Sequence, residues 1–293
     1  MVYRGMLDRL DWISTVLPPE DKLSHSHSRN YNTEYWKTLY ESISCSVVQL
    51  SVCKKEGGKF VPKQFGTGIV LCDAPGCVAV LTTVTCEYEE DDKKSGGKKI
   101  VKDHVFVQLG DSERRAHIYA SGSIVNILLL PITDPYKNKF VLLDDESFYE
   151  TDIYKSEPVW VAGCFSESLK QVMPSGYVSA CDAEKLVHGE IVQTFVHSCP
   201  IGDGLIGAPI VNRFCKIIGV NIAPTSKTAK LNHAVKLEGL RIDLAWLLDE
   251  SDNKKPMSSL VAMLKKGVVN YLRAMRSKRQ KTDGASSSSA TAN

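Results

Sequence analysis

One short segment constrains this chain more than any other. From Gly202 to Asn212 it reads Gly-Asp-Gly-Leu-Ile-Gly-Ala-Pro-Ile-Val-Asn. Glycines at this density indicate a tight turn whose backbone N–H groups face inward, because side chains would block both the turn and the approach of a ligand. Such a turn is typical of an oxyanion hole beside a nucleophile. At its centre, however, stands Ile206, which has no ionisable proton and cannot attack a carbonyl.

The segment resembles the Gly-Asp-Ser-Gly-Gly-Pro loop of trypsin-like serine proteases. In the run Gly204-Leu205-Ile206-Gly207-Ala208-Pro209, Ile206 stands in the place of the serine, while Gly204 and Gly207 keep the glycines of the former oxyanion turn. The resemblance extends over about residues 45–250 and is similar in order and spacing to the HtrA/Deg branch of this family. A peptidase-type domain is therefore the expectation for this region.

The other two members of the catalytic triad are also substituted. Residues 78–86 resemble the HtrA/Deg segment that carries the histidine base, with Thr85 in the place of the histidine. Residues 123–132 are similar to the strand that carries the aspartate, with Asn126 in its place. Threonine is not a base near neutral pH, and an asparagine has no histidine to orient. We expect no catalytic residue at Thr85, Asn126 or Ile206.

The resemblance implies an all-β fold, a trypsin-like double six-stranded β-barrel with terminal helices. Short apolar runs separated by turn residues agree with this class. The predicted strands are 45–52, 66–71, 78–84, 104–109, 115–120, 125–132, 158–164, 172–181, 190–197, 208–212 and 217–222. The predicted segments are an N-terminal helical extension and linker (1–44), the double barrel (45–250, dividing at about 135/136), a basic amphipathic helix (251–281) and a disordered tail (282–293).

The leading functional hypothesis is a catalytically inactive protease homologue that binds a protein or peptide partner. Leu205 and Ile206 would then form an apolar floor in the former cleft, or they would fill the cleft and seal it. The charged insertion at 87–99 is predicted to be a surface hairpin or a disordered loop, with partner recognition as the alternative. We expect no cofactor and no metal, because the cysteines and histidines lack the paired spacing of a zinc site.

A working hydrolase is the rival hypothesis. Cys199 or Ser198, just upstream of the glycine turn, would be the nucleophile, and His104 or His197 would be the base. The resemblance to known loops disfavours this, because both candidate nucleophiles precede the turn instead of lying in it.

The C-terminal region carries a concentration of positive charge. Residues 254–281 contain nine lysines and arginines and no acid, and their apolar residues recur at helical spacing. Lys265, Lys266, Lys278, Arg279 and Lys281 fit a bipartite nuclear localisation signal, for which an importin would be the partner. Nonspecific nucleic-acid binding through this tail is the alternative.

The expected location is nuclear or cytoplasmic, without membrane attachment. Charged residues interrupt the first residues after Met1, so a secretory signal is not predicted. The nine cysteines show no paired spacing, which favours reduced thiols.

Overall fold

A computed structural model describes residues 41, 43–86, 88–90, 99–101, 103–109, 112–132, 140, 147–148, 152–164, 171–187, 189–202, 204–222, 231–252 and 254–287. For 88–90, 99–101 and 278–287 only the backbone is described. Nearly all of the predicted N-terminal extension and the last residues of the predicted tail lie outside this set.

The described chain is mostly β-structure, followed by two helices. The elements are β1 (Val47–Glu56), β2 (Lys59–Ala74), β3 (Cys77–Thr82), β4 (Tyr88–Glu90), β5 (Lys99–Val101), β6 (His104–Leu109), β7 (Ser112–Ser121), β8 (Asn126–Pro131), β9 (Pro158–Val161), β10 (Gly163–Cys164), β11 (Gln171–Val172), β12 (Ser175–Val187), β13 (Glu190–His197), β14 (Pro209–Asn212), β15 (Ile217–Asn221), β16 (Asn232–Lys236), α1 (Leu237–Leu247) and α2 (Met257–Ser287).

Two closed antiparallel barrels form the body of the protein. The first has the strand order β1-β2-β3-β8-β7-β6 and the second the order β12-β13-β16-β15-β14-β9. Each closed barrel removes the exposed strand edges that an open sheet would leave. The prediction of an all-β double six-stranded barrel is confirmed.

Buried and outward-facing side chains alternate along strands of the first barrel, and the buried ones fill its interior. On β6, Val105, Val107 and Leu109 are buried in the interior cluster, while His104 and Phe106 face outward. This period of two is expected for a strand with one buried face. The β1–β2 hairpin turns at Gly57-Gly58, where both glycines have positive φ, as a two-residue hairpin loop with a right-handed twist requires.

The strand predictions are incomplete at two places. Residues 232–236 form β16, which closes the second barrel between β13 and β15, although the sequence analysis assigned no strand there. The charged insertion contains a two-stranded pairing of β4 with β5, in which Tyr88 lies opposite Val101. That pairing agrees with the predicted hairpin at both ends of the insertion.

Helix α2 begins at Met257, inside the predicted basic segment 251–281, and continues to Ser287, into the predicted tail. Its first half packs on the protein through the buried residues Met257, Leu260, Leu264 and Val268. From 273 to 277 every side chain is exposed. Within the described residues, neither helix has the length and apolarity needed to cross a membrane.

Asp243 of α1 ties the helical end of the chain to the first barrel. Its carboxylate, 5% exposed, accepts hydrogen bonds from the backbone N–H groups of Ser123, Ile124 and Val125 at 2.8–3.1 Å, and from the Ser123 hydroxyl at 3.0 Å. These groups belong to the turn between β7 and β8. A buried carboxylate is tolerated because several donors replace its water.

We predict that Asp243→Asn lowers the free energy of unfolding by about 2–4 kcal/mol, because the amide group would present its own N–H donors to backbone donors and leave them unsatisfied. Urea denaturation of both forms measures this. Glu238→Gln, on the exposed first turn of the same helix, is the matched control and should change stability by less than about 1 kcal/mol. Equal effects of the two substitutions would contradict the assigned role.

Candidate functional site

The glycine-rich turn keeps the backbone shape predicted for it. Gly204 has φ +103° and Gly207 has φ +84°, both in the region that residues with a Cβ rarely adopt. Space is equally restrictive at Gly207, where a Cβ would lie 2.2 Å from the Thr67 carbonyl oxygen and 2.5 Å from Thr82 Oγ1. The turn therefore needs glycine at this position for two independent reasons.

Threonines of the first barrel hold this turn of the second barrel. The Thr67 hydroxyl donates to the Gly204 carbonyl at 2.6 Å, and the Thr67 N–H donates to the Ile206 carbonyl at 2.7 Å. Thr83 Oγ1 donates to the Asn221 carbonyl at 2.8 Å. Thr67 is 0% exposed, so these bonds are shielded from water. The turn is fixed where the two barrels meet.

Two backbone donors of the turn are unmatched. Among the residues that the structure describes, neither the Gly204 N–H nor the Ile206 N–H meets a hydrogen-bond acceptor. These are the positions whose N–H groups form the oxyanion hole in serine proteases. Gly207 N–H, in contrast, donates to the Asn221 carbonyl at 2.9 Å. The turn thus keeps the donors that could receive a carbonyl or carboxylate oxygen.

Asn221 braces the turn from inside the second barrel. Its side-chain Nδ2 donates to the Leu205 carbonyl at 2.8 Å, and its backbone N–H donates to the Ala208 carbonyl at 2.8 Å. Since Nδ2 is the donor, Oδ1 must accept, and His197 Nε2 lies 3.3 Å from it. His197 therefore carries its proton on Nε2. Its Nδ1 is buried without a hydrogen-bond partner among the described residues.

Leu205 does not contribute to a cleft floor, so the expectation of a floor made by both residues is wrong. Its side chain is 0% exposed and packs in the second-barrel core with Val161, Phe195 and Ala208. The backbone of the turn directs consecutive side chains in different directions. Of these two side chains, only Ile206 is half-buried, and it packs against the interior cluster of the first barrel.

The three positions that resemble a substituted triad lie near the same turn. A Cβ on Gly66 would be 2.1 Å from Val84 Cγ2 and 3.1 Å from the Ile206 carbonyl oxygen, so the strand end before Thr85 adjoins the turn. Thr85 is exposed. Asn126, 7% exposed, donates from Nδ2 to the Val84 carbonyl at 2.8 Å and accepts from the Ser121 hydroxyl.

Cys199 lies in the second-barrel core. It is 0% exposed and its thiol donates to the Val159 carbonyl at 3.4 Å. Burial raises the pKa of this thiol to about 12, so the thiolate that a cysteine protease needs is disfavoured. Ser198 is exposed, and its hydroxyl pairs with the backbone of Tyr177 on β12. Neither side chain is joined to an imidazole by any hydrogen bond in the described part of the protein.

The two candidate bases are held elsewhere. His104 lies on the outer face of the first barrel, with Arg115 Nη2 at 2.7 Å from its Nδ1. Partial burial, then the charges of Arg115 and Lys55, lower the pKa of His104. His197 is 0% exposed and is engaged with Asn221. The nucleophile–base pairs that the rival hypothesis requires are therefore not brought together.

The lysines of the predicted localisation signal lie on α2. Lys265 Nζ is 2.6 Å from Asp73 Oδ1 of β2, and Lys266 is exposed. Lys278, Arg279 and Lys281 lie on the helical backbone beyond the packed half. Nuclear import through these residues stays a prediction. Among the described residues no group of three or more metal-ligating side chains converges.

Comparisons with known proteins agree with this geometry. Over 205 residues the chain is 26% identical to protease Do-like 14 of Arabidopsis thaliana, a match that covers 68% of this chain and 44% of that protein. The Rv3671c protease from M. tuberculosis in its active form has a TM-score of 0.52 at 16% identity, over 82% of this chain and 96% of that one. Its inactive form gives 0.51 at 15% identity, over 73% and 94%.

This chain has the trypsin-like double-barrel fold, and its sequence is similar to that of an HtrA-type, Do-like protease. The match spans less than half the length of the Arabidopsis relative. A scan against protein-family models gave no match. The resemblance noted in the sequence is thus confirmed as a fold, while activity is a separate question.

The buried His197 of this double-barrel domain makes stability depend on pH. Burial lowers the pKa of His197 from 6.5 to about 4. Between pH 6.5 and about pH 4, the imidazole of His197 is therefore mostly protonated in the unfolded chain and mostly neutral in the folded protein. The contribution of His197 to the free energy of unfolding is largest above pH 6.5 and falls by up to about 3 kcal/mol as the pH falls towards 4.

The matched variant is His197→Gln, whose amide can still donate to Asn221 Oδ1 but does not titrate. We expect its unfolding free energy, measured by urea denaturation, to fall less between pH 6.5 and 4 than that of the parent. His104 and His233, whose pKa values are also lowered, add to the slope in both proteins and cancel in the difference. Superimposable pH profiles would show that His197 is not the buried titrating group.

Proposed function

We propose that this HtrA-type domain is catalytically inactive and binds an extended protein or peptide segment in the cleft between its barrels. The observation that carries the proposal is the turn itself: its backbone donors are kept, while Ile206 supplies hydrocarbon where a hydroxyl must attack. Thr85 and Asn126 stand in the places of the base and the carboxylate and supply neither group. The thiol of Cys199, just upstream of the turn in the sequence, is buried in the second-barrel core.

Binding is supported by the donors that catalysis no longer uses. The N–H groups of Gly204 and Ile206 have no acceptor among the described residues, and a backbone carbonyl or a terminal carboxylate of a bound segment would satisfy them. Thr85 is exposed beside the turn, and Ile206 offers a half-buried apolar surface. Together they provide polar and apolar contacts of the kind that an extended peptide makes.

Reactivity with a fluorophosphonate probe tests the loss of catalysis. We expect the native chain to label no faster than its unfolded form, and Ile206→Ser alone to behave likewise because no base activates the new hydroxyl. The triple variant Thr85→His/Asn126→Asp/Ile206→Ser should label at residue 206, because the turn still presents its two N–H donors.

Labelling of the native chain at one residue, faster than after unfolding, would overturn the proposal of inactivity. An iodoacetamide probe applies the same comparison to the cysteines. Mass spectrometry of the labelled peptide identifies the reactive side chain in either case.

Peptide binding is tested at Thr85, whose exposure makes it tolerant of substitution. Linear peptides selected on the full chain from a displayed library should lose at least about tenfold in affinity for Thr85→Trp, since the indole would occupy the cleft. Thr85→Ser, which adds no bulk, should bind as the parent does. Isothermal titration calorimetry measures both. Selected peptides that bind the two variants equally would place recognition outside the cleft and contradict the proposal.

A further inference from the structure

An exposed ring cluster lies on the outer face of the first barrel, away from the cleft. The Phe60 ring, 43% exposed, contacts the His104 ring at a centroid distance of 4.8 Å and the Phe106 ring at 5.0 Å. Both contacts are edge-to-face, with interplanar angles of 82° and 62°. Because its neighbours fix its orientation, Phe60 presents a preorganised aromatic surface to solvent.

The strand order explains why these rings meet. Strand β1 lies between β2, which carries Phe60, and β6, which carries His104 and Phe106. The residues of β1 on this face are small, Ser51 and Cys53, and both are buried. The rings of the flanking strands therefore close over β1. This cluster of Phe60, His104 and Phe106 is called the ring cluster below.

Two cations lie beside the ring cluster, and two of the three nearby acids are paired with lysines. Arg115 lies opposite Phe106 across the β6–β7 pair, and Lys55 lies opposite Phe60; both cations are exposed and share the face of the rings. Of the acids, Glu56 pairs with Lys54 and Asp103 with Lys63, while Glu113 accepts from Ser51 and keeps its charge. Two cations against this one carboxylate leave the charge beside the rings positive.

A second ring pair continues this surface towards the basic helix. Beyond His117 on β7, Tyr119 packs outside the barrel against Tyr271 of α2, at 5.4 Å between centroids. Tyr271 is 42% exposed, and Arg273 and Arg276 follow it as exposed residues. Aromatic rings interleaved with lysines and arginines thus run from the β1–β2 hairpin to α2.

We propose that the outer face of the first barrel binds single-stranded nucleic acid, with bases stacked on the ring cluster and phosphates held by Lys55 and Arg115. Rings accept any base on their faces, while lysine and arginine follow the backbone charge. A duplex is a poor occupant, because its bases are already stacked and cannot reach the rings. The site is independent of the former protease cleft.

Fluorescence anisotropy with the full chain and short labelled strands, one of RNA and one of DNA, tests the site. We expect binding of at least one strand that weakens about tenfold in Phe60→Ala and is kept in Phe60→Trp, which restores a ring. Arg115→Gln should reduce the slope of log affinity against log salt by about 0.7. Leu186→Ala, an exposed residue of the second barrel, is the control and should bind as the parent does.

Three outcomes would overturn the proposal. The first is no binding of either strand at low salt. The second is equal affinity of the parent and Phe60→Ala, or equal binding of a duplex or of heparin, which would indicate charge without stacking. The third is loss of binding in the triple variant Lys278→Ala/Arg279→Ala/Lys281→Ala with no effect of Phe60→Ala, which would assign the interaction to the helix end. Circular dichroism confirms that each variant is folded.

Discussion

The hydrogen bonds that join the two barrels at the glycine turn are the constraint on which the site depends. Thr67 and Thr83 donate from the first barrel to backbone carbonyls of the second, and Asn221 braces the same turn from within. None of these bonds uses the side chain of residue 206. The hydrogen bonds that hold the turn therefore do not depend on which side chain residue 206 carries, so that an isoleucine in the place of a serine is compatible with an intact scaffold.

Much of the fold was predictable, because glycine, proline and alternating apolar residues are local signals. The all-β double barrel follows from motif order, and motif order also predicts that Thr85, Asn126 and Ile206 lie near one turn. The direction of the Leu205 side chain does not follow from the sequence, since it depends on the φ values of the neighbouring residues and on the space in the second-barrel core. Residues 232–236 were missed as a strand because tertiary pairing with β13 and β15 decides that element.

Interactions between distant positions were the least predictable part of the site. The contact of His197 with Asn221 joins residues on different strands, and no spacing rule connects them. Gly57-Gly58, in contrast, was a readable signal of a two-residue hairpin that the sequence analysis did not use. Extending β1 and β2 through that hairpin places Phe60 over β1, beside His104 and Phe106. The ring cluster, which no sequence pattern indicated, is thereby formed where three neighbouring strands meet.

Helix α2 is attached through its first half, and its side chains from 273 to 277 are exposed. Beyond residue 272 the backbone stays helical to Ser287, which at 1.5 Å per residue extends about 20 Å. A helix of this kind is stiff, whereas the end of a coil of equal length would be free to move. A partner bound to this part of the helix would consequently be held at a fixed distance and angle from the barrels. The domain itself would then set the orientation of that partner.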